Sequence, residues 1–196
     1  MKIEKMKTKD IITVTLLTLV NMVIYIVLGM TCVVPVMVLI YPSLIALTQG
    51  VVFMMIGTKV PKTGAFIIYS IVAGLLGFYV PYLIFNVIAA VITEILLLVG
   101  GYKNYRNLSV GYILMQAAAV FGSTIYPYKI AYEDLLKQGT AEQIADKQKA
   151  VDLLTGAVPA AVVAGCLICA VIGALIGVKV VKRHVNAADK GEDVLA

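Results

Sequence analysis

From Ile11 to Thr58 the sequence contains no Asp, Glu, Lys, Arg or His. No soluble domain can build its surface from such a stretch, because most of its residues would have to be buried at once. The same chemistry recurs. Thr63 to Tyr102 carries one charge, Glu94, and Asn107 to Tyr128 and Leu153 to Val178 carry none. Overall, charged residues make up 14% of the chain, against about 25% in an ordinary soluble domain. A membrane-spanning helix needs roughly 20 apolar residues. The first two stretches are long enough for a helical hairpin each, and the last two for single spans. The runs are continuously apolar rather than alternating, which excludes barrel strands and leaves helices.

The predicted fold is all-α: an integral membrane bundle of six transmembrane helices over residues 1–185, followed by a flexible tail at 186–196. The spans are expected at about 11–29, 43–57, 64–79, 82–99, 108–126 and 159–181, with an outer loop at 127–157. Asp10 suits the start of the first helix. Pro35 and Pro42 are read as breaking regular helix over 30–42, so that this connection dips into the membrane and helps lid a pocket. Pro127 is expected to end the fifth span. Thr140 and Gln143 have the spacing of a capping box ahead of an amphipathic surface helix. A cleaved signal peptide is the rival reading of residues 1–30. The apolar run passes Gly29 with no small-x-small site, so the segment is expected to stay.

Charge sets the expected direction. One side of this arrangement gathers twelve Lys and Arg, at positions 2, 5, 7, 9, 59, 62, 103, 106, 179, 182, 183 and 190. The other has four, at 129, 137, 147 and 149, offset by acids. The positive-inside rule then puts both termini in the cytoplasm.

Catalysis finds no support. The single histidine, His184, lies in the basic tail, and Glu94 is the only acid inside a span. No base serves a nucleophile at membrane depth, and no carboxylate pair is available. Cys166 and Cys169 sit among small residues on an apolar helix and read as packing. No GxxxxGK[ST] phosphate loop occurs, so ATP hydrolysis is expected only in partners, and no cofactor or metal is called for. Glu94 itself is costly in a membrane and reads either as a bonded anchor or as an ion site.

Polar residues inside the spans mark protein-facing surfaces. Thr15, Thr18, Asn21, Tyr25 and Gly29 fall on one stripe of the first helix, and Gln49, Asn86 and Gln116 are isolated polar groups on others. Tyrosines gather near the outer boundary, as an interfacial belt or as a pocket mouth for a flat organic ligand. The substrate-binding candidates are Tyr82, Asn86, Gln116, Tyr126, Tyr128 and Lys129, the last placed to meet an anionic group. Helix 6 carries Ala157, Ala161, Gly165, Cys169, Gly173 and Gly177 at every fourth position, a ridge that lets another helix approach closely.

These features, with Lys7-Thr8-Lys9-Asp10-Ile11-Ile12-Thr13, the turn Gly57-Thr58-Lys59-Val60-Pro61-Lys62-Thr63-Gly64-Ala65, and Thr93-Glu94-Ile95 leading to Gly100-Gly101-Tyr102-Lys103, resemble the S components of energy-coupling factor (ECF) transporters, and within them the Trep_Strep family. The resemblance implies a subunit that captures a vitamin-like nutrient outside the cell and relies on a membrane T component and two ATPases to import it. It also implies that Thr15 and Leu19 meet the T component. With Thr18 and Glu94 they are the candidates for partner contact or coupling. Two other functions fit the same residues. One is a stand-alone secondary transporter or channel working through Glu94. The other is a membrane scaffold or regulator with no small-molecule ligand.

Overall fold

A computed structural model describes residues 5–195 apart from 78 and 138, with side chains through 184 apart from 33. Its elements are α1 (Thr8–Gly29), a 3-10 turn (Met30–Val33), α2 (Pro35–Thr48), α3 (Gly50–Lys59), α4 (Ala65–Leu76), α5 (Val80–Gly100), α6 (Tyr105–Val120), a π segment (Phe121–Ile130), α7 (Tyr132–Leu136), α8 (Ala141–Leu153) and α9 (Val158–Leu195). No strand occurs among the described residues. Five helical stretches are long and apolar enough to cross a membrane: Thr8–Cys32, Pro35–Lys59, Val80–Gly100, Tyr105–Ile130 and Val158–His184. The remaining expected span, the third at 64–79, corresponds to α4, which has 12 residues. At 1.5 Å per residue that is about 18 Å, well short of the roughly 30 Å hydrocarbon core.

Three expectations about prolines are corrected. The stretch 30–42 is not an irregular connection, because helix begins at Pro35 and α2 and α3 together run to Lys59 with one break at Gln49. Pro35 occupies the first helical turn, where its missing N–H has no partner to lose. Pro42 lies inside α2, where packed neighbours tolerate it. Nor does Pro127 stop the fifth span. The helix widens there into the π segment, with the Ala131 N–H donating to the Tyr126 carbonyl at 2.8 Å. The expected tail at 186–196 lies outside the residues whose side chains are described, while the backbone of α9 is helical to Leu195.

The long elements alternate in direction. One end of the bundle collects the start of α1, the α3–α4 turn, the α5–α6 turn and the basic part of α9. Asp10 caps the Lys7 N–H at 2.7 Å and pairs with Lys62 at 2.7 Å, which ties α1 to the α3–α4 turn. At the same end the Lys182 ammonium lies 5.0 Å from the Tyr105 ring centre. The opposite end carries the 3-10 turn, the π segment, α7 and α8. The capping box of α8 forms as its spacing predicts: Thr140 Oγ1 accepts from the Gln143 N–H at 3.3 Å and Gln143 Oε1 from the Thr140 N–H at 3.0 Å.

The core is built by close backbone approach. α9 packs along α2 and α3, and the glycine ridge is where they touch. A β-carbon at Gly173 would overlap the Ala46 carbonyl oxygen, one at Gly177 the Gly50 carbonyl, and one at Gly50 the Gly173 carbonyl. The small-residue ridge is thus used within this chain, at least over 165–177. Phe53, Phe66, Tyr69 and Tyr112 fill the centre, with Phe53 stacked on Phe66 at 4.3 Å between centroids. Outward faces are aliphatic: Leu16, Val20 and Val23 on α1, Ile84, Ile88 and Ile95 on α5, Ile168 and Leu175 on α9 are all exposed. That is the pattern expected of a bundle in lipid.

Replacing Gly173 by Leu forces α9 off α2, because the obstacle is backbone rather than a movable side chain. It is expected to cost about 2 kcal/mol or more, read as a lower melting temperature in detergent. Gly101→Ala, at a site with no neighbour within 4 Å but with φ +86°, should lose less.

Candidate functional site

Glu94 is buried, at 3% exposure, and is fully engaged. Its carboxylate accepts the Phe66 N–H at 2.8 Å and the Tyr102 hydroxyl. Phe66 is in the first turn of α4, whose cap position is Gly64 at φ +98° and offers no side-chain acceptor. The first N–H groups of any helix need external partners, and a negative charge suits that end of the helix dipole. Glu94 supplies both from α5. The bonded-anchor role is the one this geometry describes.

The polar stripe of α1 faces protein. Thr18 and Asn21 are buried, and Asn21 donates from Nδ2 to the Tyr69 hydroxyl at 2.7 Å. Its Oδ1 has no hydrogen-bond partner among the described residues. Thr15 is half-buried and Leu19 exposed, so Leu19 lies on the lipid-facing side of α1.

At the end of the bundle away from the basic cluster, two neighbouring openings share Tyr128 in their linings. A cavity of about 190 Å³ is lined by Tyr25, Gly77, Tyr79, Tyr82, Ser123, Pro127, Tyr128 and Leu135. A wider outer one, about 560 Å³, lies between Gly29, Cys32, Pro35 and Val38 on one side and Glu142, Gln143, Asp146 and Lys147 of α8 on the other. Below them a narrow slot of about 10 Å³ runs past Tyr25, Tyr41 and Tyr82 to Gln116. That slot is at the lower limit for one water. The tyrosines brace one another. Tyr41 meets Tyr25 edge to face at 5.3 Å and donates to the Tyr25 carbonyl at 2.9 Å, and Tyr25 lies 6.4 Å from Tyr82.

Of the six substrate-binding candidates, Tyr82, Tyr128 and Gln116 line these spaces. The other three are placed elsewhere. Asn86 donates back to the Tyr82 carbonyl at 2.8 Å within α5, and its own carbonyl accepts from Ser70, which makes it a packing residue between α4 and α5. Tyr126 packs against Phe85 at 5.8 Å. Lys129 donates to the Leu154 carbonyl at 3.3 Å, at the C-terminal end of α8, where a cation suits the dipole. Tyr79, one of the boundary tyrosines, also lines the smaller opening, and lining residues not proposed from sequence are Tyr25, Ser123 and the α8 face. Tyr25 carried a signal, since it shares the α1 stripe with Asn21. Among the described residues no group of three or more His, Cys, Asp or Glu is placed to hold a metal.

A family model described as "Hypothetical bacterial integral membrane protein (Trep_Strep)" matches residues 8–186. Neither a curated protein nor a solved structure matches the chain.

The Glu94 geometry makes a graded prediction for thermal melting in detergent. Glu94→Ala orphans the Phe66 N–H and should cost about 1–3 kcal/mol. Glu94→Gln retains a carbonyl oxygen for that N–H and should recover at least half of the loss. Equal losses in the two variants would mean that charge, not the hydrogen bond, holds α4.

Proposed function

The chain belongs to the Trep_Strep family of bacterial integral membrane proteins, and from that premise we propose that it is the substrate-capturing S component of an ECF-type importer. In this reading it lies in the cell membrane with both termini in the cytoplasm, and α4 completes a six-helix membrane domain. The single observation that carries the reading is the tyrosine-lined opening at the end remote from the basic cluster, above a core that is closed by aromatic packing.

A capture subunit needs an outward-facing cavity for a small molecule and no continuous path through its own core. The cavity of about 190 Å³ has the size for a single ring with a substituent. Beneath it Phe53, Phe66, Tyr69 and Tyr112 pack against one another in the buried core. The twelve Lys and Arg at the opposite side support a cytoplasmic placement of that end. Energy would come from partners, a T component and two ATPases, because the sequence has no phosphate loop of its own. The exposed aliphatic face of α1 with Leu19 is available to a membrane partner or to lipid. Glu94 favours this reading over a proton-coupled carrier, since its two oxygens are occupied in capping α4 and in bonding Tyr102.

The test is co-expression with T and ATPase subunits from the same cell. The chain should copurify with them, and uptake of the captured nutrient should vanish when the phosphate-loop lysine of the ATPases is replaced. Tyr82→Ala should lower that uptake at least tenfold at unchanged membrane yield. Transport by the purified chain alone, without ATP, would sink the model.

A further inference from the structure

The structure carries information about the charge of the molecule captured. The inner cavity brings together Tyr25, Tyr79, Tyr82 and Tyr128 from α1, the start of α5 and the π segment. No Lys, Arg or His is among its lining residues. Lys129, the nearest basic residue in sequence, is turned away to the Leu154 carbonyl. An anionic group entering here would find no cation.

The available features are instead ring faces and the hydroxyls of the tyrosines and Ser123, which both donate and accept. An aromatic ring presents a negative face, and several rings around one space attract a cation most strongly where water is excluded. Asn21, one turn away from Tyr25 on α1, is buried against the Tyr69 hydroxyl and is not among the lining residues. The outer cavity does not oppose a cation. Glu142 and Asp146 line it, Asp146 pairs with Lys149 at 2.9 Å, and the Lys147 amine donates to the Leu135 carbonyl.

We propose that the tyrosine cavity is a cation cage, and that the captured nutrient carries an amine or quaternary ammonium group seated between Tyr25, Tyr82 and Tyr128. The proposal rests on the capture reading above and narrows it to a chemical class. The cation enters past the α8 acids and exchanges its hydration for the ring faces. The rest of the molecule occupies the outer cavity.

The test uses the full chain in a maltoside detergent, which avoids the ammonium headgroups of common lipids. Three probes that share a phenyl ring are titrated: benzyltrimethylammonium, benzyl alcohol and benzoate. Binding is followed by calorimetry and by tyrosine emission, which no Trp obscures. The cation is expected to bind at least tenfold more tightly than either rival. Tyr82→Phe keeps the ring face and should stay within threefold. Tyr82→Leu should lose the cation preference, and Tyr128→Leu, at a half-buried position, repeats the test if the first variant does not fold.

Benzoate or benzyl alcohol binding as tightly as the cation, in a manner that depends on Tyr82, overturns the charge class and leaves the capture reading standing. A cation preference that survives in both Leu variants also overturns the cage. Failure of all three probes to bind overturns it as well. The capture reading is decided separately, by copurification and ATP-dependent uptake.

Discussion

The bond from the Phe66 N–H to Glu94 is the constraint on which the rest of the arrangement depends. α4 is too short to reach from one face of a membrane to the other. Its first turn is buried inside the bundle, where the free N–H groups that begin every helix need protein partners. A carboxylate from α5 fills that role and binds α4 to its neighbour. The shortness has a second consequence at the other end. α4 stops at Leu76, and the chain turns back through Gly77 and Tyr79 to start α5 at Val80. Gly77, Tyr79 and Tyr82 then border the inner cavity. A full-length α4 would occupy the space that this turn leaves open.

On the other side of the bundle, the contact of α9 with α2 and α3 is so close that backbone meets backbone at Gly50, Gly173 and Gly177. Within a membrane, helices gain little from burying apolar surface, because lipid is equally apolar, and dispersion contacts and interhelical hydrogen bonds must hold them. Small residues make those contacts dense. Tyr112 adds a hydrogen bond across the interface to the Ala46 carbonyl at 2.6 Å. This interface is closely packed. The tyrosine-lined openings lie at the end remote from the basic cluster, where the start of α2, the π segment and α8 meet α1 and α5.

Much of this was legible in the residues, and what was not has a physical cause. Long uncharged runs and their basic flanks located the membrane helices, because charge is the term that lipid penalises most. The capping box at Thr140 and Gln143 was readable since it is local. Prolines misled. Pro35, Pro42 and Pro127 were read as boundaries from their effect on an isolated helix, whereas here one begins a helix, one is absorbed within it and one converts its last turns to π geometry. Site residues were legible in part. Tyr82, Tyr128 and Gln116 line the openings, but Asn86 and Lys129 spend their polar groups on backbone carbonyls nearby. No spacing rule reveals that a side chain is already occupied. The π segment was unreadable in principle, since its widening depends on what packs beside it.

Where Lys129 points changes the chemistry inferred for the whole site. Read as a sequence, a lysine next to Tyr126, Pro127 and Tyr128 suggests an anion held among tyrosines. In the fold, the same ammonium closes the C-terminal end of α8, where the helix dipole and the Leu154 carbonyl hold it. Its charge is therefore used in fixing a surface helix over the outer opening. The rings it leaves behind offer π faces and hydroxyls, with no Lys, Arg or His among the lining residues. A residue that the sequence offers as a receptor for anions is engaged elsewhere, and the cavity is left with tyrosines and without a cation in its lining.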